Sequence, residues 1–489
     1  MDFFSLYFIS FLIIVFIVNW AIKPSVRYIW LLASSMFFYA TWDIRYTALL
    51  LFVILDSYFL SLLISKHKNK ILKSKLLVLG NAAFLLFILA IFKYWTFLSA
   101  EFYELFRISG SAADGFFSFI APVGLSFYIL TIIGYMVDVY RGKTDPERNI
   151  GKYALFISFF PNILSGPIER SNNLLKQINM EKEFDYDKTK KGLLLILYGY
   201  FIKLLIANRI SLIVDAAFRS HTEQTGATMM IALILYGIQL YCDFSGYSCI
   251  AIGIGKTLGY DLVENFRQPY FSTSVRDFWS RWHISLSSWL RDYVYIPLGG
   301  NRKGLIIQCV NLLITFLVSG LWHGTGLQFI IWGALHGSYQ VISRVFKPVK
   351  KHGSKIKIKR DAFSFKLIQG IFTFALVDYA WLFFRSSSVH EGIEITKNIV
   401  RNLQFGNTLV NKLYLVGFSS ERFNVLLLEI GIVLVVDIIH ERKVSIISLL
   451  DKQNKVFRWL IYIALVILII FGLIHDYGIE ASSFIYTRF

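Results

Sequence analysis

The chain has 489 residues, of which 56% are hydrophobic and only 17% charged, and its mean hydropathy is +0.56; soluble domains carry nearer to about 25% charged residues. Its 45 Phe, 27 Tyr and 11 Trp against 8 Pro exclude a disordered, collagen-like or disulfide-stapled chain and a soluble globular enzyme, and they point to an all-α polytopic membrane protein. The net charge of +18 fits basic cytoplasmic loops rather than nucleic-acid binding, because no basic stripe runs through an accessible polar domain.

Residues 1–4 lack the basic region and small-residue cleavage site of a signal peptide, so the stretch 3–20 is expected to be a retained span. Further spans are expected at 28–42, 46–64, 76–92, 121–139, 192–206, 229–254, 305–317, 327–345, 367–384, 423–439 and 459–473. Several are short for a crossing of about 20 residues. The apolar stretch 153–164 reads as a re-entrant or interfacial piece, tolerated at membrane depth only where protein or water covers it. Lys66, Lys68, Lys70, Lys73 and Lys75 crowd one loop without an acid, and Arg344, Lys347, Lys350, Lys351, Lys355, Lys357, Lys359 and Arg360 crowd another. Placing both loops inside closes the parity with about twelve spans and both termini outside. No internal repeat and no long polar stretch appears. The expectation is one membrane domain, 1–489, with peripheral spans over 1–115, a core over 116–345 and C-terminal spans over 346–489.

Cys242 and Cys249 share a helical face about 10 Å apart, too far for a disulfide. Cys309 stands alone, and nothing has a metal-ligand spacing. Gly255-Lys256-Thr257 imitates the end of a P-loop, but Ile250 occupies the position of its first glycine. Gly253 and Gly255 imitate a dinucleotide fingerprint, but Leu258 stands at the third glycine.

The region 243–303 is dense in Trp, Tyr and Arg. Read as one helix, 274–293 gathers Phe278, Trp279, Trp282, Leu286, Trp289 and Tyr293 on one face, with Asp277, Arg281, Ser285, Ser288 and Asp292 opposite, as in a helix lying in the membrane interface. His283 falls at the edge of that apolar face, where a boundary residue of an anchoring helix is the plainer reading. His323, in Leu321-Trp322-His323-Gly324, lies between two short apolar stretches and so near the hydrocarbon zone. An ionisable group there is costly and is functional or paired. His336 reads as structural, and His67, His221, His352, His390, His440 and His475 lie in loops or at span ends. Asp138, Lys203, Asp243, Asp378, Glu429 and Asp437 lie in or near spans and each needs a partner or a water-filled cavity. A proton-coupled transporter or flippase could use such groups, although no inverted-repeat symmetry is visible.

The stretches 122–128 (PVGLSFY), 135–142 (YMVDVYRG), 158–162 (SFFPN), 165–167 (SGP), 241–247 (YCDFSGY), 277–287 (DFWSRWHISLS), 289–302 (WLRDYVYIPLGGNR), 321–324 (LWHG) and 484–486 (FIY) together resemble the membrane-bound O-acyltransferase (MBOAT) family, and most closely its bacterial alginate O-acetyltransferase-like branch. The resemblance implies a helical ring of about 11–13 spans around a thinned core with a central tunnel, in a multi-pass protein of a bacterial cytoplasmic membrane. It implies an acyltransferase, an O-acetyltransferase moving acetyl from cytosolic acetyl-CoA to an extracytoplasmic polysaccharide through an exported or membrane-anchored SGNH-type partner. No permanently bound cofactor and no metal is implied. His323 matches the family's buried catalytic histidine. His283 matches its second polar position, often Asn in the mammalian branches.

An imidazole acting as general base on a hydroxyl contributes about 10²–10⁴ in rate, and burial in an apolar tunnel favours its neutral form. Arg276, Arg281, Arg291, Arg302 and Lys303 are the expected contacts of the donor's phosphates, with positive-inside anchoring as the alternative for each. Trp282, Trp322, Asp243 and Ser287 are expected to line or position the tunnel. Relatives that place D-alanine on teichoic acid share both histidines and take their acyl group from a carrier protein. The stretch 295–302 looks more like the polysaccharide branch.

Overall fold

The computed structural model describes residues 1–105, 122–346, 359, 361–404 and 420–475. The described chain is helical: α1 (Leu6–Ala21), α2 (Arg27–Ala40), α3 (Ile44–Lys66), α4 (Ile71–Leu105), α5 (Leu125–Tyr140), α6 (Ile150–Ser158), α7 (Phe160–Ile163), α8 (Lys176–Ile178), α9 (Tyr186–Tyr200), α10 (Asn208–Arg219), α11 (Gly226–Thr257), α12 (Val275–Arg281), α13 (Ile284–Leu290), α14 (Leu305–His323), α15 (Leu327–Val345), α16 (Phe363–Arg385), α17 (Val389–Arg401), α18 (Ser420–Glu441), α19 (Ile446–Asp451) and α20 (Lys455–His475). Over the described residues, eleven of the twelve expected spans fall mainly on one of these helices, and 192–206 covers the end of α9 with the π-helical turn Phe201–Ala207. Among the described residues, 8 stretches are long and apolar enough to cross a membrane, while α1 and α5 are apolar but shorter. His352, the basic residues Lys347 to Lys357 with Arg360, and the motif at 484–486 lie outside the described residues.

The chain forms two compact units, one of Met1–Ile196 with Ile250–Val263, the other of Leu197–Cys249 with the chain from Glu264 onward. In the first, the apolar stretch expected to be re-entrant forms the end of α6 and α7, with a break at Phe159. The stretch is fully buried, and the break leaves no orphaned amide at Phe160, whose N–H donates to Ser35 Oγ at 3.1 Å. Tyr153 Oη likewise donates to Ser57 Oγ at 2.7 Å. Irregular backbone in this buried setting persists because protein supplies its hydrogen bonds.

In the second unit, α14 and α15 form a tight antiparallel hairpin. A Cβ on Gly320 would lie 2.3 Å from Phe329 O, and one on Gly333 would lie 2.4 Å from Phe316 O, so the two backbones touch where only glycine fits. The turn between them places His323 at the end of α14, facing α15.

The single amphipathic helix expected over 274–293 is not formed. α12 starts at the Ser274 cap, which accepts from Asp277 N at 3.2 Å, and ends at Trp282, which is extended (φ −101°, ψ 129°). His283 follows in the left-handed region (φ 42°, ψ 54°) before α13 begins, and a π-helical turn covers Arg291–Tyr295. The helix breaks because the chain at 265–267 takes its backbone groups: Arg267 N donates to Arg281 O at 3.0 Å and Ile284 N to Asn265 O at 3.0 Å. The expected apolar face is nevertheless buried, with Phe278, Trp282 and Leu286 each 1% exposed.

Candidate active site

Both histidines singled out by sequence lie in the second unit and are buried, His283 at 1% and His323 at 3% exposure. Trp322 neighbours both: its ring centroid is 4.8 Å from that of His323 and 6.1 Å from that of His283. His323 is otherwise walled by Trp332 at 5.0 Å and Phe384 at 5.2 Å, both edge-on. His283 meets Phe244 edge-on at 4.6 Å. Burial pushes the His283 pKa down to about 3, so this ring is neutral at physiological pH and offers one N–H donor and one acceptor nitrogen. His336, fully buried, accepts from Trp279 Nε1 at Nδ1 over 3.2 Å and packs on Trp332, a structural setting.

The left-handed conformation of His283 restricts what can stand there. His and Asn are among the few non-glycine residues enriched in that region, and a β-branched side chain is an outlier. His283→Asn is therefore expected to keep the fold, whereas His283→Val is expected to cost about 1–3 kcal/mol, read as a lowered thermal midpoint in detergent. Equal midpoints for the two variants would contradict this.

A cavity of about 400 Å³ adjoins the site, lined among others by Arg276, Arg291, Gln340, Arg344, Ser287 and Ser319. It follows α14 from Leu312 to Ser319, about 10 Å along the axis, and Ser319 lies one turn from His323. Three arginines thus line a cavity that also takes in Ser319, while neither His283 nor His323 is among its lining residues. Of the five basic residues expected at a donor site, Arg276 and Arg291 line this cavity. Arg281 instead pairs with Asp277 at 3.0 Å and Glu441 at 2.6 Å. Arg302 and Lys303 are exposed and are not among the lining residues. Sequence reasoning misses Arg344 and Gln340 as cavity residues, although their i, i+4 spacing puts both on one face of α15.

Trp282 stacks on Phe278 at 5.4 Å and packs at a tilt against Trp381 at 5.1 Å, and its carbonyl accepts from Ser287 Oγ at 3.2 Å. Asp243 is buried in an ion pair with Lys203, whose Nζ also donates to Asn208 Oδ1 at 2.9 Å. Lys203 sits in the π-helical turn Phe201–Ala207 that joins α9 to α10. Among the described residues, no group of three His, Cys, Asp or Glu side chains is arranged to hold a metal ion.

Residues 144–389 match the family model for MBOAT, the membrane-bound O-acyltransferase family. A probable alginate O-acetylase of Pseudomonas syringae pv. tomato is 37% identical over 364 residues, covering 74% of this chain and 68% of its own. A second, from Pseudomonas putida, is 37% identical over 364 residues, covering 74% and 73%. The chain belongs to the membrane-bound O-acyltransferase family. It is a multi-pass membrane acyltransferase, and the two buried histidines and the arginine-lined cavity lie within the segment that matches the MBOAT model. Other MBOAT relatives are a peptidoglycan O-acetyltransferase of Helicobacter pylori, 32% identical over 410 residues (78% of this chain, 75% of that one), and a teichoic acid D-alanyltransferase of Bacillus subtilis, 27% identical over 282 residues (55% and 70%).

Proposed function

We propose that this protein carries acetyl groups from cytosolic acetyl-CoA through the membrane for O-acetylation of an extracytoplasmic polysaccharide, completed by an exported or membrane-anchored SGNH-type partner. The observation that carries the reading is the cavity lined by Arg276, Arg291 and Arg344 and by Ser319, one turn before His323. Guanidinium groups match polyanionic phosphates bidentately, and Arg344 ends α15 just before the basic loop assigned to the cytosol. The relatives named as alginate O-acetylases support a polysaccharide acceptor.

In this scheme the thioester enters from the arginine side and the acceptor hydroxyl from the opposite face, by the passage expected from sequence. His323 removes the hydroxyl proton as the oxygen attacks the thioester carbonyl. His283, neutral and with one N–H, steadies the oxyanion that forms. The C–S bond breaks, and the proton held on His323 passes to the departing thiolate. The products are an acetyl ester and free CoA.

The test uses purified protein in liposomes with labelled acetyl-CoA. Release of CoA with transfer of label is expected. Arg344→Ala is expected to raise KM for acetyl-CoA about tenfold, since a hydrogen bond to a charged group contributes about 1.5–3 kcal/mol, with kcat little changed. Acetyl-CoA left intact while a D-alanyl carrier protein is consumed would replace this reading with that of the teichoic acid D-alanyltransferase relative.

A further inference from the structure

The left-handed turn at His283 is held by the chain on either side of Trp282 and His283. Arg267 N donates to Arg281 O, and Ile284 N donates to Asn265 O, each at 3.0 Å. Between these two backbone bonds lie only Trp282 and His283. The Asn265 side chain adds the rest. Its Oδ1 accepts from Ser285 Oγ at 2.6 Å and from Ser285 N at 3.4 Å, and its Nδ2 donates to Ser248 Oγ on α11 at 3.1 Å. The backbone N–H of Ser285 is a donor only, which fixes the amide orientation: Oδ1 must face α13 and Nδ2 must face α11. Asn265, Ser248 and Ser285 are 1%, 2% and 3% exposed, so these bonds form in a dry setting where an unmade bond is costly.

Two of the first amides of α13, those of Ile284 and Ser285, are therefore capped by Asn265 rather than by the preceding residue. His283 stands at the N-cap position, but its side chain makes no capping bond; the helix start is satisfied from outside the turn. The same asparagine ties the turn to α11, four residues from Phe244, which packs on the His283 ring at 4.6 Å.

We propose that Asn265 is a positioning residue for His283: it holds the turn in the left-handed conformation and sets the imidazole against Phe244 and Trp322. This rests on the role proposed above for His283. A misplacement of about 1 Å at a reacting group costs on the order of 10²-fold in rate.

The experiment is a double-mutant cycle in the purified full-length protein, following CoA release. Glycine prefers no hand of φ, so His283→Gly removes the ring without straining the turn. Asn265→Ala is expected to lower kcat about 100-fold with KM for acetyl-CoA unchanged. In the His283→Gly background, Asn265→Ala is expected to cause no further loss, because both changes remove the same interaction. Full turnover in Asn265→Ala, or an equal factor lost with and without His283, overturns the proposal. Where the alanine variant does not fold, Ser285→Ala removes one of the two Oδ1 donors; a smaller loss that vanishes in the His283→Gly background supports the proposal, and an additive one overturns it. Wild-type turnover in His283→Gly alone removes the role of His283 and this inference with it, a result obtained before Asn265 is changed.

Discussion

Replacement of His323 by alanine is expected to lower acyl transfer by about 10²–10⁴-fold, the usual contribution of a positioned general base, while the protein still inserts and folds. The expectation follows from where the ring sits. It closes α14 at 3% exposure, one turn beyond Ser319 of the arginine-lined cavity. Its neighbours Trp332 and Phe384 meet it edge-on, an arrangement that fixes the ring plane by packing. The fold around it is held by the close backbone contacts of Gly320 and Gly333, which the substitution leaves alone. CoA release measures the chemistry, and the thermal midpoint in detergent measures the fold. Retained turnover with an unchanged midpoint would end the assignment of His323 as base. A loss of turnover that tracks a collapsed midpoint would make the residue structural.

Much of the architecture is legible in the sequence, because a run of apolar residues long enough to cross a bilayer is a one-dimensional signal. Every expected span is helical. The stretch 153–164, too short at twelve residues to cross, is buried with a break at Phe159. The broken helix over 274–293 is not legible. Its 3/4/7 spacing is real, and Phe278, Trp282 and Leu286 are all buried as that spacing requires. Periodicity, however, records which side chains are buried and is blind to the backbone bonds that Asn265 and Arg267 make from outside the segment. A His is compatible with both α and left-handed backbone, so the letter itself gives no warning. The same limit applies to the donor site. Arg276, Arg281, Arg291, Arg302 and Lys303 look equivalent in sequence, yet Arg281 is bound to Asp277 and Glu441. Arg344, in sequence only an anchoring charge, lines the cavity. Partner choice among like charges depends on contacts far apart in the chain.

The buried pair Arg209–Glu429 gives the other large expectation. Glu429 reads in sequence as a carboxylate needing a partner. Arg209 is not among the residues that the sequence singles out. In the fold, Arg209 Nη1 lies 2.8 Å from Oε1 and 2.9 Å from Oε2 of Glu429, with the two residues 7% and 3% exposed. This bond ties α10 to α18, 220 residues apart in the chain. Glu429→Leu removes the carboxylate that holds this buried guanidinium group and is expected to destabilise the protein by about 3–5 kcal/mol. Arg209→Met is expected to do the same to the carboxylate. The double variant Arg209→Met/Glu429→Leu removes both desolvation costs and both charges, and is expected to recover most of the loss, because apolar replacements of a buried pair are often neutral or stabilising. Thermal midpoints of the four proteins, read from the unmasking of the buried Cys242 thiol, measure the coupling. Single variants that unfold at the wild-type temperature would show that the pair is hydrated and weak, and a double variant no better than the singles would show that the two charges act apart. A stable double variant that still releases CoA would also separate the pair's part in holding α18 from the chemistry proposed for His323 and His283.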